Sequence, residues 1–397
     1  MTDLFIYTDL TWPEVAALHR DTPLVIPLGS DYSLDQLAER LGNPPRLGML
    51  PPFPFGWHGS GLSVPESLLE AYLKNLLAGL RDDGFTNVNV LTPQGICPGL
   101  KTFRIVMHRS TLKTTLLPTD KACGKVVVIP IGHTEQHGFH LPLSTDTLII
   151  EAIGQGIEKA VPDQAVTLPV MPYGVSMHRA SFAGTLNSGG RPFEDFWLAV
   201  IDALVAHGFD RFYLISGHGG NSSFLVNVVK YAGDRHPRIF CATAWLYLSG
   251  SQGIAALEKC RRSKIGGMGH SCELETSLIL HLRPDLVHMD RVVDETDFVA
   301  TPSYYMDWIE GGALVANPPW DDDTQTGAYG AGSLATAEHG ALWLQAAIDE
   351  KVAHVAEIHE QHRRREERRR QGYGLWGKKR QSLAHLASLS SSTHFNI

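Results

Sequence analysis

The sequence predicts an α/β fold of three α/β/α layers around a mostly parallel sheet, on three observations. Short apolar runs rich in β-branched residues recur at Leu24–Pro27, Val126–Pro130, Val166–Pro169, Arg211–Ser216 and Ile239–Ala242, as strands buried on both faces do. Amphipathic helical stretches lie between them, and strand–helix alternation favours parallel pairing. Polar loops rich in glycine and histidine follow several of the strands, where open α/β sheets place their sites.

Taken in order, Leu24–Pro27 is the first strand and ends in Gly29-Ser30. The strand Val126–Pro130 opens the second half and runs into a loop crowded with His and Glu. Phe193–His207 is the clearest helix: Pro192 stands at its start, Glu194 and Asp195 lie in its first turn, and Gly208 follows as a stop. Arg211–Ser216 then ends in Gly217-His218-Gly219-Gly220-Asn221. At the far end, Arg363-Arg-Arg-Glu-Glu-Arg-Arg-Arg370 reads as a frayed, charged helix end. Lys378–Arg380 beyond it belong to the same charged end, and the Ser388–Ser392 stretch reads as disordered.

The two halves share an internal repeat. Leu24-Val-Ile-Pro-Leu-Gly-Ser30 parallels Val127-Val-Ile-Pro-Ile-Gly-His133, and Leu50-Pro-Pro-Phe-Pro-Phe-Gly56 parallels Leu168-Pro-Val-Met-Pro-Tyr-Gly174. Asp83–Thr92 parallels His207–Ser216 in the same order. Residues 1–100 thus read as a shortened copy that has lost its polar residues: Tyr32 stands opposite Glu135, Leu34 opposite His137, and Gln94 opposite His218. The expected division is a degenerate, non-catalytic α/β domain at 1–105, a catalytic domain at 106–360, and a basic, Ser-rich tail at 361–397.

With 397 residues, 43% hydrophobic and 19% charged, the chain has the composition of a globular protein long enough for two domains. A formal net charge of -8 gives no general attraction to nucleic acid or anionic lipid. The start lacks a basic, then apolar, leader, and no run approaches the ~18 apolar residues of a membrane span. Five cysteines without a CxxC pair argue against a disulfide framework or a zinc knuckle. The expectation is a cytoplasmic enzyme with a small-molecule substrate, and neither nucleic acid nor membrane as partner.

The chemistry is concentrated in three stretches. Gly132-His-Thr-Glu135-Gln-His137-Gly-Phe-His140 followed by Asp146 offers carboxylate oxygen and imidazole nitrogen, the donors that suit Zn²⁺, Mn²⁺ or Fe²⁺. A single carboxylate such as Asp146 has two oxygens and can bridge two ions. His218 sits between glycines at a strand end, where its imidazole is left uncovered. Gly269-His270-Ser-Cys-Glu273-Leu-Glu275-Thr-Ser277 adds a histidine and two carboxylates before an apolar helix. Gly-x-Ser-x-Gly is absent from any strand-to-helix turn, which leaves a serine hydrolase little support.

These residues resemble the creatininase family, which includes creatinine amidohydrolases, formamide deformylases and the mycofactocin-maturation peptidase. The family pattern G-x-x-E-Q-H-G-x-H-L-P, then D, Y-G-x-S-x-x-H-x-x-F-x-G-T, G-H-G-G-N and H-x-G-x-x-E-T-S is met by Gly132–Pro142, Asp146, Tyr173–Thr185, Gly217–Asn221 and His270–Ser277. A closing G-x-x-x-A-T-x-x-x-G segment is met at 330–340. The match spans roughly 126–345. The resemblance implies a creatininase-like fold, a homo-oligomer, and two divalent ions, Zn²⁺ and/or Mn²⁺. Glu135, Asp146 and His218 would hold one ion, and His137 with Asp146 the other. Creatininase itself has a Glu two residues after the G-H histidine, where this chain has Gly220; Glu273 is the expected replacement and Glu275 the fallback. His270 corresponds to the family histidine near the scissile bond, with Glu275 and His178 as further catalytic candidates. Trp245, Ser176, Tyr173 and Asn221 are expected to touch substrate, while a second pocket tryptophan has no match. The implied activity is hydrolysis of a cyclic amide, formamide or other small amide by a hydroxide held between the ions. A metal-dependent lyase, isomerase or amide-forming enzyme on the same site is the alternative, because fold does not dictate chemistry.

Overall fold

The computed structural model describes residues 2–93, 100, 104–107, 123–177, 181–308 and 311–372. Strands β1 (Asp3–Ile6), β2 (Leu24–Pro27), β3 (Arg46–Met49), β4 (Val88–Pro93) and β5 (Arg104–Met107) form a parallel sheet in the order β1-β3-β2-β4-β5. A second parallel sheet, ordered β7-β6-β8-β9, comprises β6 (Val126–Ile131), β7 (Ala165–Thr167), β8 (Arg211–Ser216) and β9 (Phe240–Thr243). A short antiparallel ribbon joins β10 (Met268–His270) to β11 (Tyr329–Gly330). The helices are α1 (Trp12–Ala16), α2 (Leu34–Arg40), α3 (Glu66–Asp82), α4 (Thr145–Ala160), α5 (Gly190–Ala206), α6 (Ser222–Arg235), α7 (Ser251–Cys260), α8 (Glu273–Leu282) and α9 (Ala337–Arg370).

The layers follow from the two-residue alternation of strand side chains. On β6 and β8, Val127, Ile129, Ile131, Phe212 and Leu214 enter the apolar core that also holds α3 and α5 residues. Val126, Val128, Tyr213 and Ile215 face a second core with α4, α8 and α9 residues. Sequence and structure agree on β2 and β8 to the residue. The α5 helix begins at Gly190, three residues before the expected start, and so takes Pro192 into its first turn. A first-turn residue needs no N–H for the helix ladder, so proline fits there. The Arg-rich run is the end of α9, held by ion pairs at helical spacing such as Arg363–Glu360 and Arg364–Glu360; Lys378–Arg380 and Ser388–Ser392 lie outside the described residues. No described helix is long and apolar enough to cross a membrane.

Four strands of the first sheet, β3-β2-β4-β5, correspond in order to β7-β6-β8-β9, while β1 has no counterpart. In the first, Leu24 is in register with Gly48 and Val88; in the second, Val127 is in register with Val166 and Phe212. After these strands, Gly29 N–H donates to Phe53 O at 2.9 Å, and Gly132 N–H donates to Met171 O at 2.8 Å. The α3 and α5 helices have 17 residues each and end before Gly84 (φ 93°) and Gly208 (φ 91°), a left-handed turn that glycine adopts without strain. They pack against each other. Tyr72 and Phe196, each the seventh residue of its helix, meet with ring centroids 5.1 Å apart. Phe53 stacks on Tyr173 at 5.0 Å, and Phe55 meets Trp197 edge-on at 6.1 Å. Truncating one of these buried rings to Ala would cost about 3–5 kcal/mol, so the aromatic seam is a main tie between the halves.

Candidate metal centre

Four chain segments converge at the C-terminal ends of β6 and β8. The loop after β6 is pinned on both sides: Thr134 Oγ1 donates to Pro172 O at 2.9 Å, and Gln136 N–H donates to Thr185 Oγ1 at 3.1 Å. It carries His133, Glu135 and His137, all fully buried. Asp146 is in the first turn of α4, and Glu275 in the first turn of α8. His218 follows β8 in a turn that only small residues permit. A Cβ on Gly217 would come within 2.2 Å of Asp146 O, and one on Gly220 within 2.3 Å of Val175 O. Gly220 therefore leaves no room for an acidic side chain at that position.

The hydrogen bonds assign the histidine tautomers. His137 Nδ1–H donates to Glu135 O at 3.1 Å, His218 Nε2–H to Val175 O at 3.0 Å, and His270 Nε2–H to Gln136 O at 2.8 Å. Each ring spends its hydrogen on a backbone carbonyl and turns its lone pair inward, as metal-ligating histidines do. His218 Nδ1 lies 3.0 Å from Glu135 Oε1 and 3.2 Å from Asp146 Oδ2. His137 Nε2 lies 3.2 Å from Asp146 Oδ1 and 4.0 Å from Glu275 Oε1. The ligand atoms of His137, Asp146 and Glu275 fall within 4.8 Å of one another, as do those of Glu135, His137 and His270. Lone pairs facing carboxylate oxygens at these distances, out of water, call for a cation between them. The electrostatics agree. Burial works against a charge on His218, but Glu135 and Asp146 outweigh it and push the pKa up to about 9. His137 is raised the same way, burial being overcome by Asp146 and Glu275. Burial alone would raise the Asp146 carboxyl, yet His137 holds it below its usual range.

Several expected residues stand elsewhere. Glu273 is not in the group: its carboxylate accepts the backbone N–H groups of Arg262 and Ser263, at 2.9 and 2.7 Å, and so anchors the loop before β10. Glu275, the fallback, takes its place. Tyr173 is not placed for substrate: it points at the seam between the halves, with its hydroxyl donating to Pro51 O at 2.5 Å. Asn221 is a brace, receiving Val175 N–H at 2.9 Å and donating to Gly132 O and Ser216 Oγ, each at 3.2 Å. Ser176 is buried beside the His218 partner Val175, with its hydroxyl unbonded. Trp245 is 56% exposed and borders Gly219, so it stands at the rim rather than in the core. His178 lies outside the described residues.

Two neighbours escaped the sequence reading. Trp320 is buried, packs edge-on to His270 with centroids 5.7 Å apart, and donates from Nε1 to Gly327 O at 2.9 Å. Nothing local marks it, because it comes from a long segment after α8. His133 has a visible signal: 133, 135 and 137 recur every second residue, the spacing that puts side chains on one side of an extended segment.

A family model for Creatininase, described as creatinine amidohydrolase, matches residues 111–355. A mycofactocin precursor peptide peptidase of Mycobacterium ulcerans is 28% identical over 237 residues, covering 58% of this chain and 84% of that protein. A creatinine amidohydrolase of Pseudomonas putida is 30% identical over 182 residues, covering 43% of this chain and 68% of that protein. Among solved structures, a manganese creatininase aligns with a TM-score of 0.50 at 25% identity, covering 59% of this chain and 91% of that one.

Proposed function

The chain belongs to the creatininase family of hydrolases, and from that premise we propose that it uses two divalent ions to hydrolyse an amide or related C–N bond of a small molecule. The observation that carries this is Asp146, whose two oxygens each face a different histidine lone pair at 3.2 Å. One carboxylate shared in this way suits a pair of ions. Glu135, Asp146 and His218 would hold the first, and His137, Asp146 and Glu275 the second. The oxygen and imidazole donors suit Zn²⁺ or Mn²⁺, with Fe²⁺ also compatible. When bound, such ions lower the pKa of water and polarise a carbonyl.

The rest of the chemistry falls to the chain. His270 Nδ1 lies 3.8 Å from Glu135 Oε1 and 3.9 Å from Glu275 Oε2. Its lone pair takes a proton from the attacking water and gives it to the leaving nitrogen, so the amide C–N bond breaks and a carboxylate and an amine leave. Trp320 keeps the imidazole from swinging out. Ser176 and Trp245 are the described candidates for contacting substrate, and His178 joins them by position in the motif. A cyclic amide or a formamide is the substrate class we favour.

Residues 1–105 form, in this proposal, a degenerate copy of the catalytic domain (106–360). The matched registers of the two sheets support that reading. Assembly into a homo-oligomer and a cytoplasmic location complete it. Val226 and Tyr231, exposed on α6, and the free thiols of Cys123, Cys241, Cys260 and Cys272 are compatible with them.

The test is to load the chain with Mn²⁺ or Zn²⁺ and offer a panel of creatinine, hydantoins, formamides and short peptides in ¹⁸O-water. One ¹⁸O in the product carboxyl, lost with chelator, is expected. A product free of ¹⁸O, or turnover indifferent to chelator, would overturn the reading.

A further inference from the structure

We infer that His133 is a positioning residue that fixes Glu135 for metal binding, and not an additional ligand. Its ligand atom lies within 4.8 Å of those of Glu135 and His218, close enough to pass for a third donor. The hydrogen bonds argue otherwise. His137, His218 and His270 each give an N–H to a backbone carbonyl and keep a lone pair for the centre. His133 does the reverse: its Nδ1 accepts the N–H of Gly174 at 2.9 Å. The lone pair of the neutral ring is thereby used, and the hydrogen resides on Nε2.

That Nε2–H faces Oε2 of Glu135 at 3.8 Å. The other oxygen of the same carboxylate, Oε1, faces the lone pairs of His218 and His270 at 3.0 and 3.8 Å. The two oxygens are therefore divided, Oε1 to the ion and Oε2 to His133. The His133 ring also lies against the His218 ring, with centroids 4.4 Å apart, so it backs the other ligand of that ion. Its own position is fixed from the loop after β7 and from α4: Gly174 bonds the ring, and Thr147 Oγ1 donates to the His133 carbonyl at 3.0 Å. Acting as a ligand would require His133 to lose its Nε2 hydrogen or to flip and abandon Gly174. With both side chains fully buried, no solvent competes for the Glu135 oxygen.

This inference rests on the two-metal reading, and the experiment separates their failures. Mn²⁺ alone is titrated by calorimetry into the full chain, into His133→Leu and into His133→Gln, whose amide N–H can replace Nε2–H. The wild-type chain is expected to take two equivalents. His133→Leu should weaken one of them by about 10–100-fold, the range for loss of an outer partner that orients a ligand, and leave the other unchanged. His133→Gln should recover most of the loss. Wild-type affinity in His133→Leu, or an equal loss in both variants, overturns the inference. Should His133→Leu fail to fold, ¹⁵N-histidine NMR of the Zn²⁺-loaded wild-type chain decides: a retained Nε2–H on His133 supports it, and loss of that hydrogen on loading overturns it. A wild-type chain that takes no metal sinks the two-metal reading instead. The tautomer of His133, read in the metal-free protein, still decides this one: Nδ1–H in place of Nε2–H overturns it.

Discussion

Nε2 of His137 lies 3.2 Å from Oδ1 of Asp146, and neither atom carries a hydrogen when the neutral ring donates from Nδ1 to Glu135 O. Two buried acceptors at this distance repel unless a proton or a metal ion joins them. Asp146 meets the same condition on its other side, against His218.

Asp146→Asn should therefore remove both equivalents of metal and at least 10³-fold of kcat, since about 4 kcal/mol of transition-state stabilisation goes with the ions. The metal-free variant should melt below the metal-free wild type near neutral pH, because the carboxylate that His137 holds below its usual range is gone. Metal at 100 times its Kd should stabilise the wild type by about 2.7 kcal/mol and leave the variant unmoved. Elemental analysis and thermal melts with and without chelator check this; a variant that keeps two ions refutes it.

Glu275→Gln and Glu273→Gln should differ in kind. The first should lose one ion and most activity while keeping its melting temperature. The second should keep both ions and lose on the order of 1–2 kcal/mol, because its carboxylate holds the 262–263 backbone. If Glu273→Gln loses metal and Glu275→Gln does not, the assignment is reversed.

Metal affinity should rise with pH across roughly pH 6.5–9. His218 must be without its second proton to bind an ion, and its pKa in the metal-free fold is pushed up to about 9. The sign for folding follows. A raised pKa adds stability fully present below the ordinary histidine value of about 6.5 and lost as pH rises through about 9. Metal-free protein should thus lose stability over the window in which Mn²⁺ binding tightens, by up to tenfold per pH unit. Calorimetry in buffers of different ionisation enthalpy should register the released proton; flat affinity over this range would count against His218 as a ligand.

Asp83 should set a second pH dependence. It accepts the Gly184 N–H across the two halves at 2.8 Å. Burial pushes its pKa up to about 6, despite that bond and Arg20. Its contribution is present below about pH 4 and lost as pH rises through about 6. Asp83→Asn keeps an acceptor for Gly184 and should gain on the order of 1 kcal/mol at pH 8 in chelator, with little change at pH 4. Melts at the two pH values test this, and an equal shift at both would show that the charge is irrelevant.

The strands and their faces were legible because buried parallel strands announce themselves by composition and length, as at Leu24–Pro27 and Arg211–Ser216. The clustering of the candidate metal donors was legible because carboxylates and imidazoles after buried strands are costly without a purpose. The choice between Glu273 and Glu275 was not. The two are separated by about 200° around α8, and the sequence does not say which side of that helix meets the loop after β6. Tyr173 and Asn221, expected at the substrate, bond to Pro51 and to Val175, Gly132 and Ser216 instead, and a motif does not separate residues that touch substrate from residues that brace those that do. Trp320 reaches His270 from some 50 positions away, beyond α8 and at the start of a short 3-10 turn, a placement that only the folded chain discloses.

The matched registers of the two sheets also bear on how the chain comes to be folded. Strands β2 and β6 present nearly the same apolar edge to β4 and β8, so each is a plausible but wrong partner for the other's neighbour while the polypeptide emerges. Tandem units with similar strands in one chain are prone to such cross-pairing. Every strand of the first sheet precedes β6 in the chain, and in that sheet both edges of β4 are taken, by β2 and β5. Order of synthesis thereby protects the later half, and a circular permutant that begins near Val126 would forfeit that protection and should refold with a lower yield.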